Sequence, residues 1–264
     1  MKLGLGIFVL LVGIGGFCQA APHPIVAAES GFLLGTSDSG KWTPFEKAKT
    51  AVKGGETYRL YNLTGSLGTA KGGKPESAGE PCPDMLVIPL TPKPKAGAIG
   101  VAGTWNALPR IPQSAATTQP VYLKAAGEFL GAQGIRNPRV RITQILRIDL
   151  EGDGEEEVLI SATNYFTKGD DIPTGTVAGS YSCVMLRRVV AGKVQTQLLS
   201  GDFYPTAKTF NAPYRHRISA VLDLDGDGKM EVIVHSAYYE GDATTVFRCT
   251  GRKPEQLLSV GCGA

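Results

Sequence analysis

The clearest regularity in the chain is a pattern of apolar runs that occurs twice. Ile142 to Ile148, an acidic stretch and Val158 to Tyr165 are matched by Ile218 to Leu222, a second acidic stretch and Val232 to Tyr239. The acidic stretches begin at Asp149 and Asp223, 74 residues apart. The likeness continues: Cys183 to Val190 followed by GKVQTQLLS (Gly192 to Ser200) parallels Thr245 to Cys249 followed by GRKPEQLLS (Gly251 to Ser259). Each copy predicts strand, acidic loop, strand, strand, turn, strand, which is a four-stranded antiparallel sheet of the kind that builds β-propeller blades.

Upstream the pattern is looser. Between Gly31 and Pro112 the chain is rich in Gly and Pro, with short apolar runs that predict strands at Phe32 to Leu34, Tyr58 to Tyr61, Met85 to Leu90 and Ala98 to Val101. Thr43, Pro44 and Glu46 fit a capping box before a short helix that stops at Gly54 and Gly55. Gly65 to Pro83 reads as a long loop, and Pro89 to Pro94 as stiff connecting chain. A polar linker, Gln113 to Gln119, leads to Pro120, which opens a helix over Val121 to Gln133 ended by Gly134, with Val121, Ala125, Phe129 and Leu130 as its apolar stripe. The expected fold is therefore mainly β, of α+β type. A Gly/Pro-rich β region (21–112), a linker with one packing helix (113–139) and two blade-like repeats (140–200 and 214–264) follow a leader (1–20).

The acidic loops carry the plainest chemistry. The second runs Asp223, Leu224, Asp225, Gly226, Asp227, Gly228, Lys229, Met230, Glu231; the first runs Asp149, Leu150, Glu151, Gly152, Asp153, Gly154, Glu155, Glu156, Glu157. Carboxylates at the first, third, fifth and ninth places of a tight loop, with a carbonyl from the seventh, offer the oxygen donors that calcium requires. Asp223, Asp225, Asp227 and Glu231, with the Lys229 carbonyl, are the candidate ligands of one site; Asp149, Glu151, Asp153, Glu157 and the Glu155 carbonyl are those of the other. Glu151 is longer than the Asp expected at its place. Asp-Gly pairs between strands also favour plain hairpin turns, but turns do not need further acids at fixed offsets. An EF-hand is excluded, because its twelfth place holds Ile160 or Val234 and a strand follows each loop.

DLDGDGKMEVIV and, more loosely, DLEGDGEEEVLI resemble the calcium loops of FG-GAP/VCBS repeats, the propeller blades also found in integrin alpha chains. The likeness covers about half of the chain. It is also similar to a group of exported bacterial proteins of unassigned function that pair such repeats with a helix and end in a VGCGA-like tail. The Phe-Gly and Gly-Ala-Pro landmarks of the family are absent. Two copies do not close a ring of about four to eight blades, so a complete propeller would need the N-terminal strands as further blades.

Composition bears mainly on compartment. Lys2, an apolar run from Leu3 to Phe17 and small residues at Ala20 and Ala21 form the pattern of a cleavable secretory signal, with cleavage expected after Ala20. The run is shorter than the ~20 residues that span a bilayer, so no stable membrane span is expected after cleavage; an uncleaved anchor and lipidation at Cys18 are the competing readings. The expected location is secreted, periplasmic or cell-envelope. With 27 basic and 24 acidic side chains and no basic cluster, nucleic acid is not an expected partner. Cys82, Cys183, Cys249 and Cys262 remain after the leader, and an oxidising compartment favours two disulfides in one of three pairings over buried free thiols.

Signals for catalysis are sparse. His23, His216 and His235 occur without HExxH, GxSxG or a phosphate-cradling motif. His235 lies on the strand after the second loop, with Ala237 and Tyr239 on the same face; Glu240 and Asp242 read as solvated loop carboxylates. Tyr165, Phe166, Phe203, Tyr204, Tyr214, Tyr238 and Tyr239 gather at comparable places in the repeats, as a sheet packing or a protein- or glycan-binding surface would have them. The leading expectation is an exported, non-catalytic, calcium-binding module whose partner is an unknown protein or glycan. The alternative is an exported hydrolase acting on polysaccharide or cell-wall material.

Overall fold

The structure is a computed structural model that describes residues 22–165 and 172–263. The leader expected over 1–20, and Phe166, lie outside the described residues. The fold is mainly β, with antiparallel pairing throughout. The N-terminal elements are β1 (His23–Ala27), β2 (Phe32–Asp38), β3 (Lys41–Pro44), α1 (Phe45–Ala48), β4 (Thr57–Asn62), β5 (Gly65–Gly72), β6 (Glu76–Ser77), β7 (Leu86–Val87), β8 (Leu90–Thr91) and β9 (Ile99–Val101). They form one sheet in the order β6-β7-β2-β1-β9-β4-β5-β8, with β3 paired to β2.

Two readings change here. Gly65 to Gly72 is not loop but a strand, because residues 62–65 close a tight turn: the Asn62 side chain accepts the N–H groups of Thr64 and Gly65 and returns the chain along β4. The capping box does not form. Thr43 is committed to β3, opposite Thr36, Pro44 takes the N-cap without a side-chain bond, and the helix lasts only four residues.

The second part comprises β10 (Gln113–Ser114), α2 (Pro120–Ala132), β11 (Ile142–Ile148), β12 (Glu157–Thr163), β13 (Ser180–Val190), β14 (Lys193–Tyr204), β15 (Arg215–Leu222), β16 (Glu231–Tyr238), β17 (Gly241–Arg248) and β18 (Glu255–Gly263). Strands β10 to β14 make one sheet and β15 to β18 another, each in sequential order. Pro120 starts α2 at its first turn, where a missing N–H costs nothing. Gly134 ends it at φ 85°: its N–H reaches Gly131 O, that of Ile135 reaches Leu130 O at 3.1 Å, and both Ile135 and Leu130 are buried. The buried face is Ala125, Ala126 and Leu130. Val121, placed in the expected stripe, is 54% exposed, while Tyr122 and Leu123 of the same turn pack against the cluster beneath the helix.

One large apolar cluster takes residues from β1 and β2, from β11 to β13 and from all four strands of the last sheet, so the N-terminal region and the two repeats share a core. A disulfide between Cys82 and Cys262 fastens the N-terminal region to the last strand. The expectation of two disulfides is corrected: Cys183 and Cys249 are free thiols. Each belongs to a different apolar cluster, Cys183 under α2 and Cys249 in the shared core, and burial pushes both thiols up to about 12.

Candidate metal centre

Both acidic loops share four hydrogen bonds, displaced by 74 residues. The first carboxylate accepts main-chain N–H groups from the fourth and sixth places: Asp149 from Gly152 at 2.6 Å and Gly154 at 2.9 Å, Asp223 from Gly226 at 2.7 Å and Gly228 at 3.0 Å. The fifth accepts from the seventh, Asp153 from Glu155 and Asp227 from Lys229. The ninth reaches back to the second, Glu157 to the Leu150 N–H at 2.9 Å and Glu231 to that of Leu224 at 3.0 Å. The repeated acids are thus what winds each loop, by satisfying N–H groups that a strand-to-strand connection otherwise leaves open.

The loops lie against each other. The Met230 N–H donates to Leu150 O at 2.8 Å, and the Arg110 guanidinium donates to Asp149 O, Leu150 O and Gly228 O at 2.6, 3.3 and 2.7 Å. The segment carrying Arg110 also clamps the second loop: Trp105 Nε1 donates to Asp223 O at 2.8 Å, and Asp223 N–H donates to Ala107 O. From the N-terminal sheet, Ser37 Oγ donates to Leu224 O at 2.9 Å. Gly226 permits this closeness, since at φ 79° a Cβ there would lie 3.0 Å from the Trp105 ring.

Burial then separates the two loops. Asp223 and Asp225 are 4% and 8% exposed, Glu231 is buried and Asp227 is exposed. Asp223, Asp225 and Asp227 each place a carboxylate oxygen within 4.8 Å of the others. Asp225 Oδ1 accepts the Asp227 N–H, whereas its Oδ2 is buried without a hydrogen-bond partner. Burial, followed by repulsion from Asp227, raises the Asp225 carboxyl; burial is the first cause for Asp223 as well, and it pushes Glu231 up to about 9. The field of Arg248 opposes the rise at Asp225 without cancelling it.

The first loop is more open and is served by protein cations. Burial acts against ionisation of Asp149, but the N–H groups of Gly154, Gly152 and Asp153, with Arg110, outweigh it and hold the carboxyl below its ordinary value. Glu151 turns to Arg188, 3.5 Å away, whose guanidinium is itself buried and donates to Cys249 O and Gly251 O. Asp153 and Glu155 are exposed, and Glu157 is buried with its carboxyl raised by burial. Arg110, Arg188 and Trp105 were not legible as site residues in the sequence: Arg110 and Trp105 stand in irregular chain, Arg188 lies within β13 next to Arg187, and no motif surrounds any of them.

The remaining candidates disperse. His216 Nδ1 lies 2.7 Å from Ser236 Oγ and 3.0 Å from Ser200 Oγ, with Nε2 3.8 Å from Asp202, but these groups are packed between the two sheets, where the His216 N–H also donates to Ser182 Oγ. Phe203 packs on Phe129 of α2, while Tyr214 lies against Tyr238 at 5.0 Å and Phe210 against Tyr239 at 6.4 Å. Among the described residues no helix is long and apolar enough to cross a membrane. Compared with protein-family models, with curated proteins and with solved structures, the chain matches none.

Proposed function

We propose that this is an exported, non-catalytic, calcium-stabilised β-repeat module of the FG-GAP/VCBS type, whose second acidic loop holds the ion and whose partner is a protein or glycan outside the cytoplasm. The observation that carries the ion is Asp225: one oxygen of its carboxylate is buried without a hydrogen-bond donor, and the same carboxylate belongs to a cluster of three whose oxygens lie within 4.8 Å of one another. A buried, unpartnered carboxylate oxygen is costly, and a divalent cation removes that cost together with the repulsion among the three acids. Calcium suits an all-oxygen, partly flexible donor set, whereas magnesium requires a near-ideal octahedron.

The repeat type rests on the 74-residue offset of sequence and hydrogen bonds alike, and export rests on the leader pattern and the Cys82–Cys262 disulfide. In this reading the first loop is wound the same way but neutralised by Arg110 and Arg188, which leaves one calcium site per chain. The ion then locks the point where the N-terminal sheet, the Trp105 segment and both repeats meet. Thermal unfolding of the purified chain in millimolar calcium and in chelator tests it. The midpoint should rise with calcium in the wild type and stay level in Asp227→Ala; a wild type indifferent to both conditions would overturn the reading.

A further inference from the structure

At the far end of the last sheet from the acidic loops, polar side chains converge on a cavity. Arg217 of β15 stands opposite His235 of β16, and His235 opposite Thr244 of β17, so the three lie in a row on one face of the sheet. Asp242, two residues before Thr244, is on the same face. The other wall comes from the N-terminal sheet: Ala27, Glu29 and Ser30 at the end of β1, and Gly97 to Ile99 leading into β9. Glu29 is exposed at the rim and is held there by the Gly97 N–H, which donates to its Oε2 at 2.8 Å.

The cavity measures about 50 Å³ and lies between opposite charges that face one another without touching. Arg217 feels the fields of Arg215, Glu29 and Asp242, and His235 those of Arg217, Asp242, Glu29 and Arg215. Yet among the described residues the side chains of Arg217, His235 and Asp242 have no hydrogen-bond or ion-pair partner. Burial, and then Arg217, depress the His235 imidazole below its ordinary value, leaving a neutral ring beside the cation. Arg217, His235 and Asp242 are half-buried and Glu29 is exposed, so the cavity opens to solvent, and opposite charges held apart across it leave room for a polar ligand that pairs with both. A space of about 50 Å³ holds roughly four water-sized groups, the bulk of a very small molecule.

We propose that this cavity binds a small zwitterion of the α-amino-acid class. The planar fork of Arg217 takes the carboxylate, in the two-bond geometry that guanidinium and carboxylate share. Asp242 and Glu29 take the ammonium group, and His235 and Thr244 fill the polar positions between them. Either half of such a ligand alone leaves one wall of the cavity uncompensated, so recognition depends on both charges being present.

The test uses the full mature chain, with glycine, alanine and serine as probes and acetate and methylamine as half-ligands, followed by titration calorimetry or ligand-observed NMR. At least one amino acid should bind saturably, and acetate and methylamine at least tenfold more weakly. Arg217→Gln and Asp242→Asn should each weaken binding tenfold or more. Glu29→Gln, at an exposed position where the new carbonyl still accepts from Gly97, leaves the fold intact and should weaken it several-fold. Absence of saturable binding to the folded wild type, acetate binding as tightly as glycine, or affinity unchanged in Glu29→Gln and Arg217→Gln would each overturn the proposal.

Discussion

The side-chain amide of Gln144 grips the main chain of Ile218, accepting its N–H at 3.0 Å and donating to its carbonyl at 3.1 Å. Ser161 Oγ donates to the same Gln144 oxygen at 2.7 Å. The two residues are 74 positions apart, the same interval that separates the acidic loops, so a side chain of one repeat takes the place of a neighbouring strand beside the other. Replacing Gln144 by Ala removes three hydrogen bonds and leaves part-buried partners unsatisfied, which should lower unfolding free energy by about 2–3 kcal/mol in a denaturant titration.

Arg110 does for the loops what Gln144 does for the strands. Its three carbonyl acceptors belong to both loops, and a guanidinium fork reaches them at once where an ammonium does not. Arg110→Lys should therefore destabilise nearly as much as Arg110→Ala, by ~2–3 kcal/mol, read from the unfolding midpoint of each variant. Equal stability of wild type and Arg110→Lys would show that charge alone is what the loops use.

These two residues also mark how far the sequence could be read. The strands on either side of the acidic loops were legible because apolar alternation recurs there, and strand existence follows from such periodicity wherever one face is buried. The acids at fixed offsets were legible because the loops use them as hydrogen-bond acceptors. What distinguishes the loops was not legible: Trp105 and Ser37 come from distant segments to bury Asp223 and Asp225, and no local pattern encodes that contact. Gly65 to Gly72 was misread as loop because its glycines and lysine lack apolar alternation; pairing with β4 and β8 overrides that weak preference. The cysteine pairing was open for the same reason, since proximity of Cys82 and Cys262 is a product of the shared core and not of spacing.

The cysteines give a simple chemical prediction. Alkylation of the native protein should label neither Cys183 nor Cys249, because both thiols are buried and raised to about 12. In denaturant without reductant both should label, and non-reducing peptide mapping should recover Cys82 linked to Cys262. Reduction should cost about 2–5 kcal/mol of stability, given the long segment the bridge closes. A Cys183–Cys249 peptide would contradict the structure.

Without calcium, stability should fall as pH rises. The Glu231 carboxyl is pushed up to about 9 in the folded chain against an ordinary 4.5, and those of Asp223 and Asp225 are raised too, so the folded state binds these protons more tightly than the unfolded one. Their contribution is complete below the unfolded value and is lost as pH climbs toward the folded one. Under the proposed reading calcium would hold the ligands ionised and suppress that loss, so the calcium-induced rise in midpoint should be larger at about pH 8 than at about pH 5. Glu231→Gln should flatten the calcium-free profile over the same range.

The most direct measurement of the central claim is a calcium titration of the purified chain by calorimetry, with Asp225→Asn in parallel. The wild type should take up about one ion per chain with an affinity of ~0.1 to 1 mM, the range of extracellular calcium modules, and Asp225→Asn should weaken that binding at least tenfold. Absence of a saturable heat at millimolar calcium, or identical binding by wild type and Asp225→Asn, would contradict a calcium site at the second loop.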